Sequence, residues 1–215
     1  MKKVVIVGGV AGGASTAARI RRLDEQAQIV MFERGPHVSF SNCSLPFYLS
    51  GVVADSKRLL MMNPTSFKTK HNIDARPNSE VVSINRAEKT VTVRNTQTDE
   101  TFEESYDKLV LAPGAAPIVP NVPGVEQEHV FTVRNVVDIE RLQQAITTKQ
   151  AKNIVVVGGG FIGVEVAENL RLVGRDVTLV QSAPQLLRPF DFDMAQILHK
   201  EVMDHGVNLI VSDRL

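Results

Sequence analysis

The 215-residue chain carries one cysteine, Cys43, within the segment GPHVSFSNCSLPFYLSG. A lone thiol closes no internal disulfide and suits a reducing compartment. Pro46 fits the first turn of a helix, which puts Cys43 at or near a helix N-terminus, where the dipole stabilises a thiolate. An isolated cysteine is most often a small buried hydrophobe. The flank of Ser39, Ser41, Asn42 and Ser44 argues instead for a polar, partly accessible setting. A second chemistry is written in glycine. Gly8, Gly9, Gly12 and Gly13 follow the apolar residues 4–7 and precede an alanine-rich run to Leu23. The apolar residues 29–32 then end at Glu33, twenty residues after Gly13. Glycines there allow a tight turn and close approach of backbone to a pyrophosphate on the positive end of a helix, and the acid accepts hydrogen bonds from a ribose. The pattern departs from G-x-G-x-x-G at its middle position, which is Val10.

The same order recurs about 150 residues later, as an internal repeat. Apolar residues 154–157 lead into Gly158-Gly159-Gly160-Phe161-Ile162-Gly163, which satisfies G-x-G-x-x-G at every position. A helix continues through Glu165 to Leu172, and residues 177–180 form the next strand. The ribose position holds Gln181 instead of an acid, which leaves NADH against NADPH open; Arg175 and Arg188 are candidates for contact with a 2′-phosphate. Two fingerprints in one chain usually mean two dinucleotides.

The elements that position these residues are legible in outline. In the first helix Ser15, Arg19 and Arg22 fall on one polar stripe, which by spacing alone is a solvated face. Asn63-Pro64-Thr65-Ser66 reads as a helix start, residues 73–75 as a short strand, and residues 80–85 and 90–94 as a hairpin. Residues 101–103 add a third strand of that meander, and 109–111 return to the main sheet. Four prolines between Pro113 and Pro123 make the following tract the best candidate for a domain boundary. Residues 135–148 read as a helix with Val137, Ile139, Leu142 and Ile146 apolar. The helix after Asp191 reads as facing the core through Met194, Ile197, Leu198 and Val202, and residues 207–211 as one more strand. The expected class is α/β, with two Rossmann-like βαβ dinucleotide-binding domains, the first with an inserted β-meander and the second apparently truncated.

Twenty-four basic residues balance twenty-four acidic ones, so nothing suggests a nucleic-acid or anionic-membrane partner. No apolar run approaches a membrane span, and the short apolar run after Lys2 and Lys3 is no signal peptide. No metal site is indicated. The expected location is the cytoplasm.

Two fingerprints, the cysteine between them and the tract LVLAPGAAP resemble the pyridine nucleotide–disulfide oxidoreductase superfamily over essentially the whole chain. Members with two cysteines separated by four residues are excluded, because Tyr48 stands where the second would be. The single-cysteine branch remains: coenzyme A disulfide reductases, CoA-dependent persulfide reductases, and NADH oxidases or peroxidases. The segments HVSFSNCSLPFYLSG and FEESYDKLVLAPGA look most like the amino-terminal part of the coenzyme A disulfide reductases.

The resemblance implies FAD on the first fingerprint and NADH or NADPH on the second. It places FAD against Gly8, Val10, Ala11, Gly12, Gly13, Glu33, Arg34, Asn42, Cys43, Val81, Ala112, Pro113, Gly114, Arg134, Phe161 and Ile162. The nicotinamide cofactor falls to Gly158, Gly160, Phe161, Ile162, Gly163, Glu165 and Gln181. Coenzyme A, as disulfide or persulfide, falls to Ser15, Arg19, Arg22, Ser39, Asn42 and His71, with Cys43 as the catalytic sulfur that forms a mixed disulfide with CoA. Arg19 stands where glutamine can occur in that family, and His71 where lysine can. The alternatives are an NADH oxidase or peroxidase with a Cys43 sulfenic acid, and a non-catalytic nucleotide-binding fragment. The implied division is 1–118 for an FAD-binding domain with the redox cysteine, 119–150 for a linker and helix, and 151–215 for an incomplete NAD(P)H-binding domain. A later Gly-Asp segment and a carboxy-terminal domain that makes a homodimer are family parts expected beyond this chain.

Overall fold

A computed structural model describes residues 2–214. Its elements in chain order are β1 (Lys3–Val7), α1 (Ala11–Leu23), β2 (Gln28–Phe32), α2 (Leu45–Leu49), α3 (Pro64–His71), β3 (Ile73–Arg76), β4 (Ser79–Asn85), β5 (Thr90–Asn95), β6 (Thr101–Ser105), β7 (Lys108–Leu111), α4 (Val136–Thr148), β8 (Asn153–Val157), α5 (Phe161–Leu172), β9 (Asp176–Gln181), α6 (Phe192–Asp204) and β10 (Asn208–Val211). They form two compact units, Met1–Asn42 with Leu60–Ala116, and Cys43–Leu59 with Pro117–Leu215.

In the first unit β1 is the centre of a parallel sheet ordered β3-β2-β1-β7. Its two central strands, β1 and β2, read as apolar runs because both faces are covered. Val4, Ile6, Ile29 and Met31 pack on one face against Ala14 and Ala17 of α1 and Phe67 of α3. Val5, Val30 and Phe32 pack on the other against Val91 and Val93 of β5. β5 lies at the middle of the antiparallel meander β4-β5-β6. α3 starts as its sequence dictates: Asn63 Oδ1 accepts from the Ser66 amide at 2.8 Å, and Pro64 follows the cap. It stops at Asn72, which adopts the left-handed conformation at φ 47°.

The second unit is built on the parallel sheet β10-β9-β8, and the mixed α/β class with parallel sheets holds for both units. α4 opens with a reciprocal cap between Asn135 and Asp138. Its buried residues are Val136, Ile139, Leu142 and Ile146, so Val136 takes the core position read for Val137. The stripe read on α6 is corrected more heavily. Met194 and Ile197 are exposed, while Ala195 and His199 are the buried residues. Apolar residues occupy more than one side of this helix, and spacing alone does not say which side the strands cover. No helix among the described residues is long and apolar enough to cross a membrane.

Candidate functional site

The two glycine turns are the same device built twice. The Gly8 amide donates to the Phe32 carbonyl at 2.8 Å, and the Gly158 amide to the Val180 carbonyl at 2.8 Å. Gly8 and Gly158 sit at φ +99° and +106°, where a side chain is strained. A Cβ on Gly13 would lie 1.7 Å from the Gly8 carbonyl oxygen, and one on Gly163 1.8 Å from that of Gly158. These glycines serve the turn itself.

Other positions leave room that the chain does not fill. A Cβ on Gly160 would meet nothing within 4 Å, and one on Gly12 only the Ala112 Cβ at 3.4 Å. Val10 and Gly160 are the N-caps of α1 and α5, and neither helix has a side-chain cap. Each therefore offers uncapped amide donors and the positive end of its dipole to an anion. Such a cradle fits the pyrophosphate of a dinucleotide. Val10 in the middle position takes φ −100°, outside the left-handed region that would demand glycine.

Glu33 closes the first site. One carboxylate oxygen accepts from the Gly9 amide at 2.8 Å and the other from the Gly35 amide at 2.9 Å. These two donors fix the carboxylate beside the glycine turn, and each oxygen keeps a lone pair for a ribose hydroxyl. In the second unit Gln181 stands in the matching place, its side chain beside Gly159. Its amide oxygen accepts from the Ser182 amide at 3.1 Å.

Within the first unit Ala112 comes against the turn, its carbonyl oxygen 2.0 Å from where a Gly8 Cβ would stand. Pro113 and Gly114 follow it, and the Arg34 carbonyl accepts from Thr96 Oγ1 at 3.4 Å. Val81, on β4 of the meander, packs against the cluster of Val5, Val30, Phe32, Val91 and Val93. Ser39 takes φ 49°, its amide bonded to the Gly9 carbonyl at 2.8 Å and its carbonyl to the Met61 amide at 2.7 Å. Ser15, Arg19 and Arg22 are exposed along α1, while Asn42 and His71 are half-buried.

Cys43, Arg134, Phe161, Ile162 and Glu165 belong to the second unit. Cys43 is exposed, in the short 3-10 turn Asn42–Ser44 that runs into α2. Pro46 stands in the first turn of α2, as the sequence reading has it. Leu45 and Leu49 are buried, and Ser50, at the end of α2, donates to Asn169 Oδ1 of α5 at 2.5 Å. The Arg134 amide donates to Asp138 at 3.0 Å. Phe161 and Ile162 are exposed on the first turn of α5, and the Phe161 ring meets the Phe190 ring edge-on at 6.3 Å.

Sequence reasoning passed over Arg21. Its guanidinium donates to five backbone carbonyls, those of His71, Asp24, Glu25, Ala27 and Asn72. It is the structural arginine of α1, which separates it from the exposed Arg19 and Arg22. Arg171 sits at the matching point of α5 and donates to the Arg175 carbonyl at 2.6 Å. The repeat itself carried that signal, since Arg21 and Arg171 share the offset of Gly13 and Gly163. His199 was also missed: it is buried, and its Nε2 accepts from the Leu186 amide at 2.9 Å. Burial lowers its pKa from the ordinary imidazole value, which keeps that nitrogen free to accept.

A model of the pyridine nucleotide-disulphide oxidoreductase family matches residues 2–215. The coenzyme A disulfide reductase of Staphylococcus haemolyticus is 43% identical over 202 residues, which are 94% of this chain and 45% of that protein. The structure of reduced Bacillus anthracis CoADR-RHD is 49% identical with a TM-score of 0.95, over 99% of this chain and 38% of that one. An NAD-dependent persulfide reductase from A. fulgidus is 33% identical with a TM-score of 0.93, over 99% of this chain and 40% of its own. The chain thus spans about half the length of the curated relatives it matches.

Proposed function

Because the chain belongs to the pyridine nucleotide-disulphide oxidoreductase family, we propose that it forms the FAD- and NAD(P)H-binding part of an enzyme that reduces CoA disulfide or a persulfide through Cys43. The observation that carries this is the pair of identically built glycine turns, with an exposed thiol as the chain's sole cysteine. The names of the relatives supply the substrate class.

In this reading the amides at the start of α1 bind the pyrophosphate of FAD, and Glu33 accepts from its adenosine ribose. The amides at the start of α5 do the same for the nicotinamide cofactor, with Gln181 at the ribose. When bound, FAD supplies the two electrons, drawn from NAD(P)H, that return oxidised sulfur to thiolate. Cys43 performs the sulfur step. Its thiolate attacks one sulfur of the CoA disulfide, the S–S bond breaks, and one CoA leaves as thiolate while the other stays bonded to Cys43. The substrate thiol takes the place of a second cysteine. Arg19 and Arg22, exposed and with no hydrogen bond to the described residues, suit the phosphates of CoA.

The test is a visible spectrum of the purified protein followed by turnover. A flavin spectrum bleached by NAD(P)H, and thiol release from CoA disulfide at NAD(P)H expense, support the reading. A colourless protein that binds no added FAD refutes it, and NAD(P)H oxidation only with oxygen or peroxide points to an oxidase.

A further inference from the structure

Arg175 and Arg188 flank β9, and the structure separates them. Arg175 precedes the first residue of β9, whereas Gln181 is its last. At ~3.3 Å per residue the two ends lie about 20 Å apart. The Arg175 Nη1 donates to the Ala151 carbonyl at 3.0 Å, so this side chain serves the far end of the sheet. Arg188 lies at the other end. The Leu187 amide donates to the Gly159 carbonyl at 2.8 Å, which ties the residue before Arg188 to the glycine turn. Ser39 does the same for Gly9 in the first unit, and Ser39 and Leu187 share left-handed backbone, φ 49° and 46°.

The segment around Arg188 is pinned at several points. The Leu186 amide donates to His199 Nε2, and the Phe190 amide to the Leu187 carbonyl at 2.9 Å. Gln185 Nε2 donates to the Phe190 carbonyl at 2.8 Å. Arg188 and Pro189 are thus the two central residues of a closed turn. The Arg188 side chain is exposed and has no hydrogen bond or ion pair among the described residues. No acid lies between Gln181 and Phe190, whereas the matching strand end in the first unit carries Glu33.

We infer that the second glycine turn selects a nicotinamide dinucleotide bearing a 2′-phosphate, with Arg188 as the residue that reads that phosphate. The inference rests on the dinucleotide reading of that turn given above. A carboxylate at the strand end accepts from a free 2′-hydroxyl and repels a phosphate; the Gln181 amide removes the repulsion, and a guanidinium carried on a backbone-pinned turn, with no partner among the described residues, supplies charge-assisted bonds. Ser182, exposed beside Gln181, adds a hydroxyl donor.

The experiment is calorimetric titration of the FAD-loaded protein with NADP+ and with NAD+, which leave the oxidised flavin unreduced. NADP+ binds at least about tenfold more tightly, the effect of a hydrogen bond to a charged group. Arg188→Ala moves the ratio of the two affinities toward one, and Gln181→Glu turns it in favour of NAD+. NAD+ binding as tightly as NADP+, or an unchanged ratio in Arg188→Ala, overturns the inference while leaving the dinucleotide reading in place. Failure of both nucleotides to bind removes that reading, and this inference with it.

Discussion

Gly160 offers the cleanest separation of what the glycine turn does for the fold from what it does for a ligand. In Gly160→Ala the new methyl meets nothing within 4 Å, and φ −82° with ψ −176° is ordinary backbone for alanine. Two small terms of opposite sign act on stability. Alanine restricts the unfolded chain, a gain of about 0.4–1 kcal/mol, and is a poorer N-cap than glycine, a loss of roughly 0.5–1 kcal/mol. The midpoint of thermal unfolding should therefore hardly move. On the proposed function binding is different, because the methyl would stand where a pyrophosphate approaches the backbone. Overpacking of that kind costs about 1–3 kcal/mol, or roughly 5–150-fold in Kd for the nicotinamide dinucleotide. Gly8→Ala is the counterpart in the first unit. Its Cβ would stand 2.0 Å from the Ala112 carbonyl oxygen at φ +99°, and strain of about 1–3 kcal/mol adds to the clash, so that unit loses stability outright. The assays are thermal unfolding and equilibrium titration of both variants. Undiminished dinucleotide affinity in a folded Gly160→Ala protein would refute the assignment of the cradle.

Replacing both Arg19 and Arg22 by alanine should raise KM for CoA disulfide far more than KM for a small disulfide without phosphates. Exposed charge pairs contribute about 0.2–1 kcal/mol each, so the rise is about 2–30-fold; equal rises for both substrates would make the stripe structural. His199 gives a pH dependence. Its folded pKa lies below the unfolded value of about 6.5, so the unfolded chain binds more protons in the window below that value. The stabilisation it confers is present above about pH 6.5 and is lost as pH falls through the folded pKa. His199→Leu should flatten the fall of the unfolding temperature between about pH 7 and 5; an equally steep fall would assign it to other groups.

Much of this was legible because local rules and the global fold agree. The buried strands β1 and β2, the capped start of α3, the helix α4, and the hairpin of β4 and β5 follow from composition and spacing. Glu33 was legible for the same reason, since a fixed strand–turn–helix–strand length puts it beside Gly9. What escaped has a common physical cause: side chains whose work is to satisfy backbone groups leave no mark in the apolar pattern, and for Arg21 only the internal repeat carried a signal. Arg21 looks like its neighbours Arg19 and Arg22 until the carbonyls it caps are seen, and buried His199 looks like a polar interruption of a helix. α6 carries apolar residues on two sides, so its sequence does not choose a buried face. The contribution of residues 43–59 to the second unit is set by α2, which packs against α4 and α5 and whose following Ser50 bonds Asn169, long-range contacts with no local signature.

The central claim, that Cys43 is the sulfur that exchanges with coenzyme A, is tested most directly by intact mass analysis of the natively purified protein and its Cys43 peptide. The account predicts a thiol-reducible adduct of CoA mass on Cys43 after incubation with CoA disulfide, and no NAD(P)H-dependent CoA release by Cys43→Ser. An unmodified Cys43 after that incubation, or full disulfide reductase activity in Cys43→Ser, would contradict it.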